Sequence, residues 1–182
     1  MNEIDLIRQF RLGDKSAFRR LVERYQHSVI NLSYRFLRNK EEAEDMTQET
    51  FLKAYLSAHR YQPTTKFSAW LFKIAVNSCL NRLRDKKKFS FSRLEENLPA
   101  PAMDQPDNCL EREQLKGLVR EAIDSLPENQ RTVILLNQYE EFSYQEMARM
   151  LDCSVSAVES RLFRAKENLR KVLAGQIKKE AI

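Results

Sequence analysis

Scarcity of glycine and proline is the feature that most restricts how this chain can fold. The 182 residues include only 3 Gly and 5 Pro, whereas an all-β protein needs many turns, which these two residues favour. Hydrophobic residues make up 42% of the chain and charged residues 31%, a mixture typical of amphipathic helices. The sequence therefore predicts an all-α protein. No apolar run reaches the ~18 residues of a membrane span, and the N-terminal residues MNEIDLIRQF lack the apolar region of a signal peptide.

Charge is distributed unevenly along the chain, and this divides it in two. Residues 60–93 include nine Lys or Arg and one acid, a net charge of +8, whereas residues 94–113 include six acids and one Arg, a net charge of −5. Three of the prolines fall in the acidic stretch, and proline disfavours a continuous helix. We therefore predict two small helical domains, residues 1–92 and 112–182, joined by a flexible linker over residues 93–111.

Apolar residues recur at helical spacing throughout the first predicted domain. Three amphipathic stripes are expected to pack as a small helical bundle, and they cover residues 18–36, 43–55 and 67–83, after a short helix over residues 3–11. Asp14 or Ser16 is positioned to cap the first long helix. The basic run RDKKK is expected to follow the end of the third.

The second predicted domain contains a helix-turn-helix pattern. A short helix over residues 143–151, a three-residue turn and a longer basic helix over residues 155–173 follow one another, and Ser154 is placed to cap the second helix. One face of that helix presents Ser156, Ser160 and Arg164, which can hydrogen-bond phosphates and guanine edges. An ordinary helical hairpin with a solvated basic face fits the local pattern too.

A basic and aromatic segment between residues 66 and 91 is a further candidate site. Its Lys and Arg side chains can follow a phosphate backbone, and Trp70 offers a flat face on which an unpaired base can stack. Asn77 and Asn81 lie one helical turn apart, and an amide can pair with a base edge. Taken singly, however, Trp70 is more often a core residue, and a charge run is usually a solvated face. Both interpretations remain open on the pattern alone.

An acidic ridge lies on the helix predicted over residues 43–55. Asp45, Gln48 and Glu49 share one face, which is either solvated or a protein-binding surface. No His, nucleophilic Ser or glycine-rich phosphate loop accompanies these carboxylates, so no enzymatic activity is predicted. The three cysteines lack CxxC spacing and form no recognised zinc pattern with the two histidines. We therefore expect reduced thiols in a cytoplasmic chain, with no metal and no cofactor.

Taken together, these stretches resemble a bacterial RNA polymerase sigma factor of the extracytoplasmic-function (ECF) group. The resemblance covers nearly the whole chain and follows the order of the family's regions. Its motifs are AFRRLVERYQHSVINLSYRFL, AEDMTQETFLKAY, FSAWLFKIAVNSCLNRLRDKKK and SLPENQRTVILLNQYEEFSYQEMARMLDCSVSAVESRLFRAKENLRK. It implies that residues 1–92 form sigma region 2 and that residues 112–182 form sigma region 4.

The resemblance also implies a role for each candidate site. Contact with the clamp helices of the polymerase β′ subunit is expected at Asp45, Gln48, Glu49 and Phe51. Recognition and melting of the promoter −10 element are expected at Trp70, Lys73, Asn77, Asn81, Arg82, Arg84 and Lys86. Among these, Asn77 matches the position in the pocket for a flipped non-template base, and Trp70 supports that pocket. Recognition of the −35 element is expected at Ser156, Glu159, Ser160, Arg161, Phe163, Arg164 and Lys166.

A sigma factor of this kind directs promoter-specific transcription initiation within the polymerase holoenzyme. The implied partners are core polymerase, through its β′ clamp helices and β flap, promoter DNA in duplex and single-stranded form, and an anti-sigma factor. No small-molecule substrate and no direct membrane insertion are expected, and the linker is expected to hold the two DNA-reading domains apart. Glu159 departs from the pattern, because many members carry Arg or Lys there. An acid at this position would repel phosphate or accept from a cytosine amino group.

Two other functions are compatible with a helix-turn-helix. A stand-alone regulator acting on duplex DNA usually dimerises, and the absence of a leftover apolar heptad stripe disfavours this interpretation. A helical adaptor without a nucleic-acid role leaves the net +8 segment unexplained.

Overall fold

The described part of the chain is helical and contains no strand, as predicted. The computed structural model describes residues 2–62, 66–92, 110–138 and 142–180. In the first domain the helices are α1 (Glu3–Arg11), α2 (Lys15–Leu37), α3 (Lys40–Leu56) and α4 (Phe67–Ser92), with a 3-10 turn at Ala58–Arg60. In the second domain they are α5 (Leu110–Asp124), α6 (Glu128–Asn137), α7 (Tyr144–Met150) and α8 (Val155–Glu180). None of the helices in these ranges has both the length and the apolar character needed to cross a membrane.

Short polar side chains determine where α2 and α3 begin. Asp14, rather than Ser16, caps α2, because its carboxylate accepts hydrogen bonds from the backbone N–H of Ser16 at 2.7 Å and of Ala17 at 3.3 Å. Hydrogen bonding to Ser16, and then to Ala17, lowers the pKa of Asp14 below its usual value. Arg38 ends α2 with a left-handed φ of 55°, and Asn39 then caps α3. These caps set the sharp turn between the two helices.

Aromatic rings join the helices of the first domain. The Phe10 ring on α1 stacks 5.0 Å from Phe18 on α2 and meets Phe67 on α4 edge-on at 6.1 Å. Tyr61 and Phe67 both lie against Trp70, at 5.3 and 5.6 Å between ring centroids. Because Phe10, Phe67 and Tyr61 are buried, this cluster fixes the start of α4 against the rest of the bundle.

Helix α4 extends further than the sequence pattern predicts. The RDKKK run, expected to follow the helix, lies inside it, because α4 continues to Ser92. No Gly or Pro interrupts this stretch, and Lys and Arg are good helix formers. The helix is also tied to α3, since Arg82 and Lys86 both donate to Glu42, at 3.2 and 2.5 Å.

The second domain has the predicted helix-turn-helix. Ser143 and Glu146 form a capping box at the start of α7, and Ser154 caps α8 by accepting from the backbone N–H of Ala157 at 3.1 Å. In the turn between them, Asp152 has a left-handed φ of 47°, a conformation that Asp tolerates better than most residues. Helix α6 contributes the buried run Val133–Leu136 to the core of this domain.

The predicted linker falls mostly outside the described residues. Helix α5 begins at Leu110, so the end of the predicted range 93–111 is helical. Helix α4 ends at Ser92, which is the last residue of the first predicted domain.

The two domains pack directly against each other. Phe72 of α4 meets Phe142, which precedes α7, edge-on at 5.1 Å between ring centroids. Five polar contacts also join the domains: Lys66 to Glu146 (3.1 Å), Lys73 to Asp152 (2.5 Å), Arg84 to Glu128 (2.8 Å), Arg38 to Asp124 (3.7 Å) and Arg35 to Gln138 (2.6 Å). The first domain supplies the cation of every ion pair named here. The expectation that the linker holds the domains apart therefore does not describe this closed arrangement.

Candidate nucleic-acid and protein interfaces

Five of the predicted −10 residues lie along one face of α4. Their spacing brings them to the same side of the helix, and we call this set the α4 strip: Trp70, Lys73, Asn77, Asn81 and Arg84. Asn77, Asn81 and Arg84 are exposed, whereas Trp70 and Lys73 are half-buried. The exposed amides of Asn77 and Asn81 are thus available to a base edge.

The other two predicted −10 residues, Arg82 and Lys86, lie on a different face. Both are bound to Glu42, as described for α4. Their side chains therefore fasten α4 to α3 in this arrangement, which adds a structural role to the predicted contact with DNA.

The α4 strip faces the second domain. Lys73 Nζ donates to Asp152 Oδ1 at 2.5 Å and to the carbonyl oxygen of Arg149 at 3.1 Å, and Arg84 donates to Glu128 at 2.8 Å. Carboxylates of the second domain thus pair with two side chains, Lys73 and Arg84, that the sequence predicts to contact the DNA phosphate backbone. A phosphate backbone bound to the strip would therefore have to displace these carboxylates from Lys73 and Arg84.

The contact between the two domains also includes the buried residue Glu146. Burial of its carboxylate would raise the pKa of Glu146, but hydrogen bonds from Ser143 and from Lys66 across the interface outweigh burial and lower it. The Glu146 side chain is therefore held in its charged form at the end of the capping box.

Helix α8 presents most of the predicted −35 residues to solvent. Its apolar side, with Val158, Leu162 and Ala165, is buried in the second domain. Six of the seven predicted residues are exposed on its remaining surface: Ser156, Glu159, Ser160, Phe163, Arg164 and Lys166. Arg161 differs, because it is half-buried and donates towards Cys153 Sγ at 3.5 Å.

Phe163 is unusual among the α8 surface residues, since its large apolar side chain is 69% exposed. A thymine methyl group is an apolar feature of the major groove that a phenyl ring can contact. This exposure therefore suits the predicted position of Phe163 in a DNA interface.

Only part of the acidic ridge on α3 is exposed to solvent. Asp45 and Gln48 are exposed, and Glu49 is half-buried, paired with Lys53 and accepting from Ser78 Oγ at 3.4 Å. Phe51 is only 7% exposed and packs near Phe18 in the core. The Phe51 side chain therefore belongs to the core and not to the exposed part of the ridge.

Two leucines that the sequence pattern did not single out continue this ridge. Leu52 is 58% exposed and Leu56 is 67% exposed, and both follow Asp45 and Gln48 on the same side of α3. Exposed leucines one turn apart are an apolar patch beside a polar one. The signal was present in the sequence, because neither leucine belongs to the apolar stripe that the helix buries.

Two of the three cysteines lie in the described part of the chain. Cys79 is buried in the first domain, and burial raises its pKa to about 11, so the thiol is unreactive near neutral pH. Cys153 is half-buried, and Cys109 lies outside the described residues. Within the described ranges, no group of His, Cys, Asp and Glu is arranged to hold a metal ion.

A cleft of about 430 Å³ opens between the two domains. Apolar side chains of α5 line one side, and arginines of both domains lie at its rim; its lining includes Leu115, Val119, Ile123, Arg35, Arg38 and Arg120. Leu115 is 54% exposed. We call this feature the interdomain cleft.

Two parts of the chain match known protein families. Residues 21–89 match the family described as Sigma-70 region 2, and residues 116–169 match Sigma-70, region 4. The chain is 33% identical over 177 residues to the RNA polymerase sigma-H factor of Pseudomonas aeruginosa, with 92% of each chain covered. It is 34% identical over 171 residues to the ECF RNA polymerase sigma-E factor of Escherichia coli strain K12, with 89% of each covered.

Two solved structures share this fold over most of their length. CnrH in complex with the cytosolic domain of CnrY superposes with a TM-score of 0.69 at 28% identity, covering 93% of this chain and 96% of CnrH. The sigma factor RpoE from Bartonella quintana, in complex with the anti-sigma factor NepR, superposes with a TM-score of 0.66 at 22% identity, covering 86% of this chain and 96% of the other.

Proposed function

Since this chain belongs to the ECF group of the sigma-70 family of bacterial RNA polymerase sigma factors, we propose that it directs promoter-specific transcription initiation by core polymerase. The observation that carries the proposal is that one chain presents two separate surfaces whose side chains suit nucleic-acid binding. The α4 strip combines amides, cations and Trp70, as single-stranded DNA requires. The exposed face of α8 belongs to the second helix of the helix-turn-helix, and in such motifs this is the helix that enters the major groove of duplex DNA.

Each surface has a distinct task in this proposal. The α3 ridge, extended by Leu52 and Leu56, binds the clamp helices of the polymerase, and the second domain docks on its flap. The α4 strip captures and separates the −10 element, with Asn77 receiving a flipped base, while α8 reads the −35 element. The chain contributes binding energy and no catalytic step, and it acts in the cytoplasm with the polymerase.

An anti-sigma factor is the proposed regulator. The interdomain cleft supports this part of the proposal, because its apolar α5 wall and three rim arginines suit an amphipathic segment with acidic residues. The related CnrH structure contains the cytosolic domain of a second protein, CnrY. A segment bound in this cleft would touch both domains and hold them closed.

Run-off transcription tests the proposed function directly. Purified bacterial core polymerase is given a pool of promoter fragments with and without this chain. Transcripts that start downstream of a shared pair of motifs only when the chain is present would support the proposal. Lack of stimulation, together with separate elution of chain and core from a sizing column, would refute it. A stand-alone regulator acting on duplex DNA would then be the leading alternative.

A further inference from the structure

We propose that Glu159 reads a cytosine in the −35 element and so sets the base preference of the second domain. This inference rests on the proposed function and deepens it. Glu159 is exposed in the second turn of α8, whose first residue is Val155. The N-terminal residues of a recognition helix are the ones that reach base edges in the major groove.

The surroundings of Glu159 leave its carboxylate without a compensating cation. Its neighbours on the helix surface, one turn away in either direction, are Val155, Ser156 and Phe163. Among the described residues no ion pair involves Glu159, whereas Glu167 further along α8 accepts from Arg170 at 2.7 Å. An acid on this face must therefore find its partner on the DNA or weaken binding to it.

Base chemistry selects cytosine as that partner. In the major groove cytosine presents its N4 amino group, a donor that a carboxylate accepts from directly. Adenine also presents an amino group, but its N7 acceptor lies beside it and repels the carboxylate. Guanine presents acceptors only, and thymine presents an acceptor and a methyl group.

The competing interpretation is that Glu159 lies near the phosphate backbone. In that case the carboxylate lowers affinity for every sequence equally, and its removal strengthens binding without changing base preference. The two interpretations therefore differ in whether removal of the carboxylate changes the base preference at the −35 element, and a promoter library can measure that preference.

The experiment uses holoenzyme assembled from core polymerase and the full chain, on promoters randomised across the −35 element, with sequencing of the transcribed templates. We expect the wild type to prefer cytosine at one position by about tenfold over each other base, the factor for an ordinary specific base contact. In Glu159→Ala that preference should fall to within about twofold. Glu159→Gln should move it towards adenine and Glu159→Arg towards guanine, because these side chains pair with those bases.

Glu167→Gln is the matched control, since it removes a charge from the same helix and should leave every base frequency unchanged. Unchanged frequencies in all three Glu159 variants, or a uniform rise in transcription without a change in preference, would overturn the assignment while leaving the proposed function intact. Failure of the wild type to direct transcription would instead refute the proposed function, and this inference with it.

Discussion

Replacing Lys73 by glutamate tests whether the interdomain ion pairs hold the two domains together. The Lys73 side chain is 34% exposed and that of Asp152 is 76% exposed, so the pair is worth roughly 0.2–1 kcal/mol. The substitution removes this attraction and places a second carboxylate beside Asp152, which adds a repulsion of about 1 kcal/mol in water. The combined change of about 1–2 kcal/mol should lower the ratio of closed to open molecules by roughly 5–30-fold.

Single-molecule fluorescence energy transfer can measure this ratio, with one dye on each domain at the exposed positions Arg19 and Lys171. Asp152→Lys alone should open the chain to a similar degree, and the double exchange Lys73→Glu with Asp152→Lys should restore closure to within about threefold. Lys87→Glu is the control, because it makes the same change of charge on an exposed part of α4.

Two results would refute this reasoning. One is a ratio of closed to open molecules in Lys73→Glu that equals the ratio in the wild type and in the Lys87→Glu control. The other is a double variant that is as open as the sum of the two single changes, since a real pair must show coupling between its members.

Four further predictions concern single side chains. Asn77→Ala should impair transcription from promoters with an intact −10 element while core affinity stays at the wild-type value; loss of both would indicate misfolding. Arg164→Ala should weaken −35-dependent transcription by about 1–3 kcal/mol if the guanidinium contacts a base, and unchanged output would exclude it from the interface. Gln48→Arg should reduce core binding in a pull-down, and wild-type affinity would place the ridge in solvent. Burial raises the pKa of Cys79 from 9.0 to about 11, so the unfolded chain ionises first as the pH rises. The free energy of unfolding should then fall by up to about 3 kcal/mol between pH 8 and 11, and Cys79→Ala, measured by chemical denaturation, should lack that part of the decrease.

Local patterns in the sequence predicted most of the helices because their causes are local. The apolar stripes follow the helical period, and the Ser154 cap precedes α8 as expected. The sequence predicts either Asp14 or Ser16 as the residue that caps α2, and only the backbone geometry identifies Asp14 as the cap. The sequence pattern predicts the end of α4 too early, because a run of charge does not by itself end a helix and the pairs with Glu42 help to extend this one.

The closed arrangement could not be predicted in the same way. Lys73 and Asp152 are far apart in sequence and lie in different domains, so neither periodicity nor composition connects them. The same limit applies to the candidate sites. The family resemblance predicts Phe51 as a contact with the polymerase, yet the chain buries that side chain and exposes Leu52 instead. Burial depends on which helix packs on which face, and only the tertiary structure determines this.

Because both domains belong to one polypeptide, even weak ion pairs can hold them together. Contacts of this strength would not hold two separate proteins together at micromolar concentration, because association costs several kcal/mol of lost freedom. Within one chain each domain meets the other at an effective concentration on the order of millimolar, whatever the dilution of the sample. Cleavage of the backbone between residues 93 and 109 would therefore allow the domains to separate, although every residue that forms an interdomain contact described above would still be present.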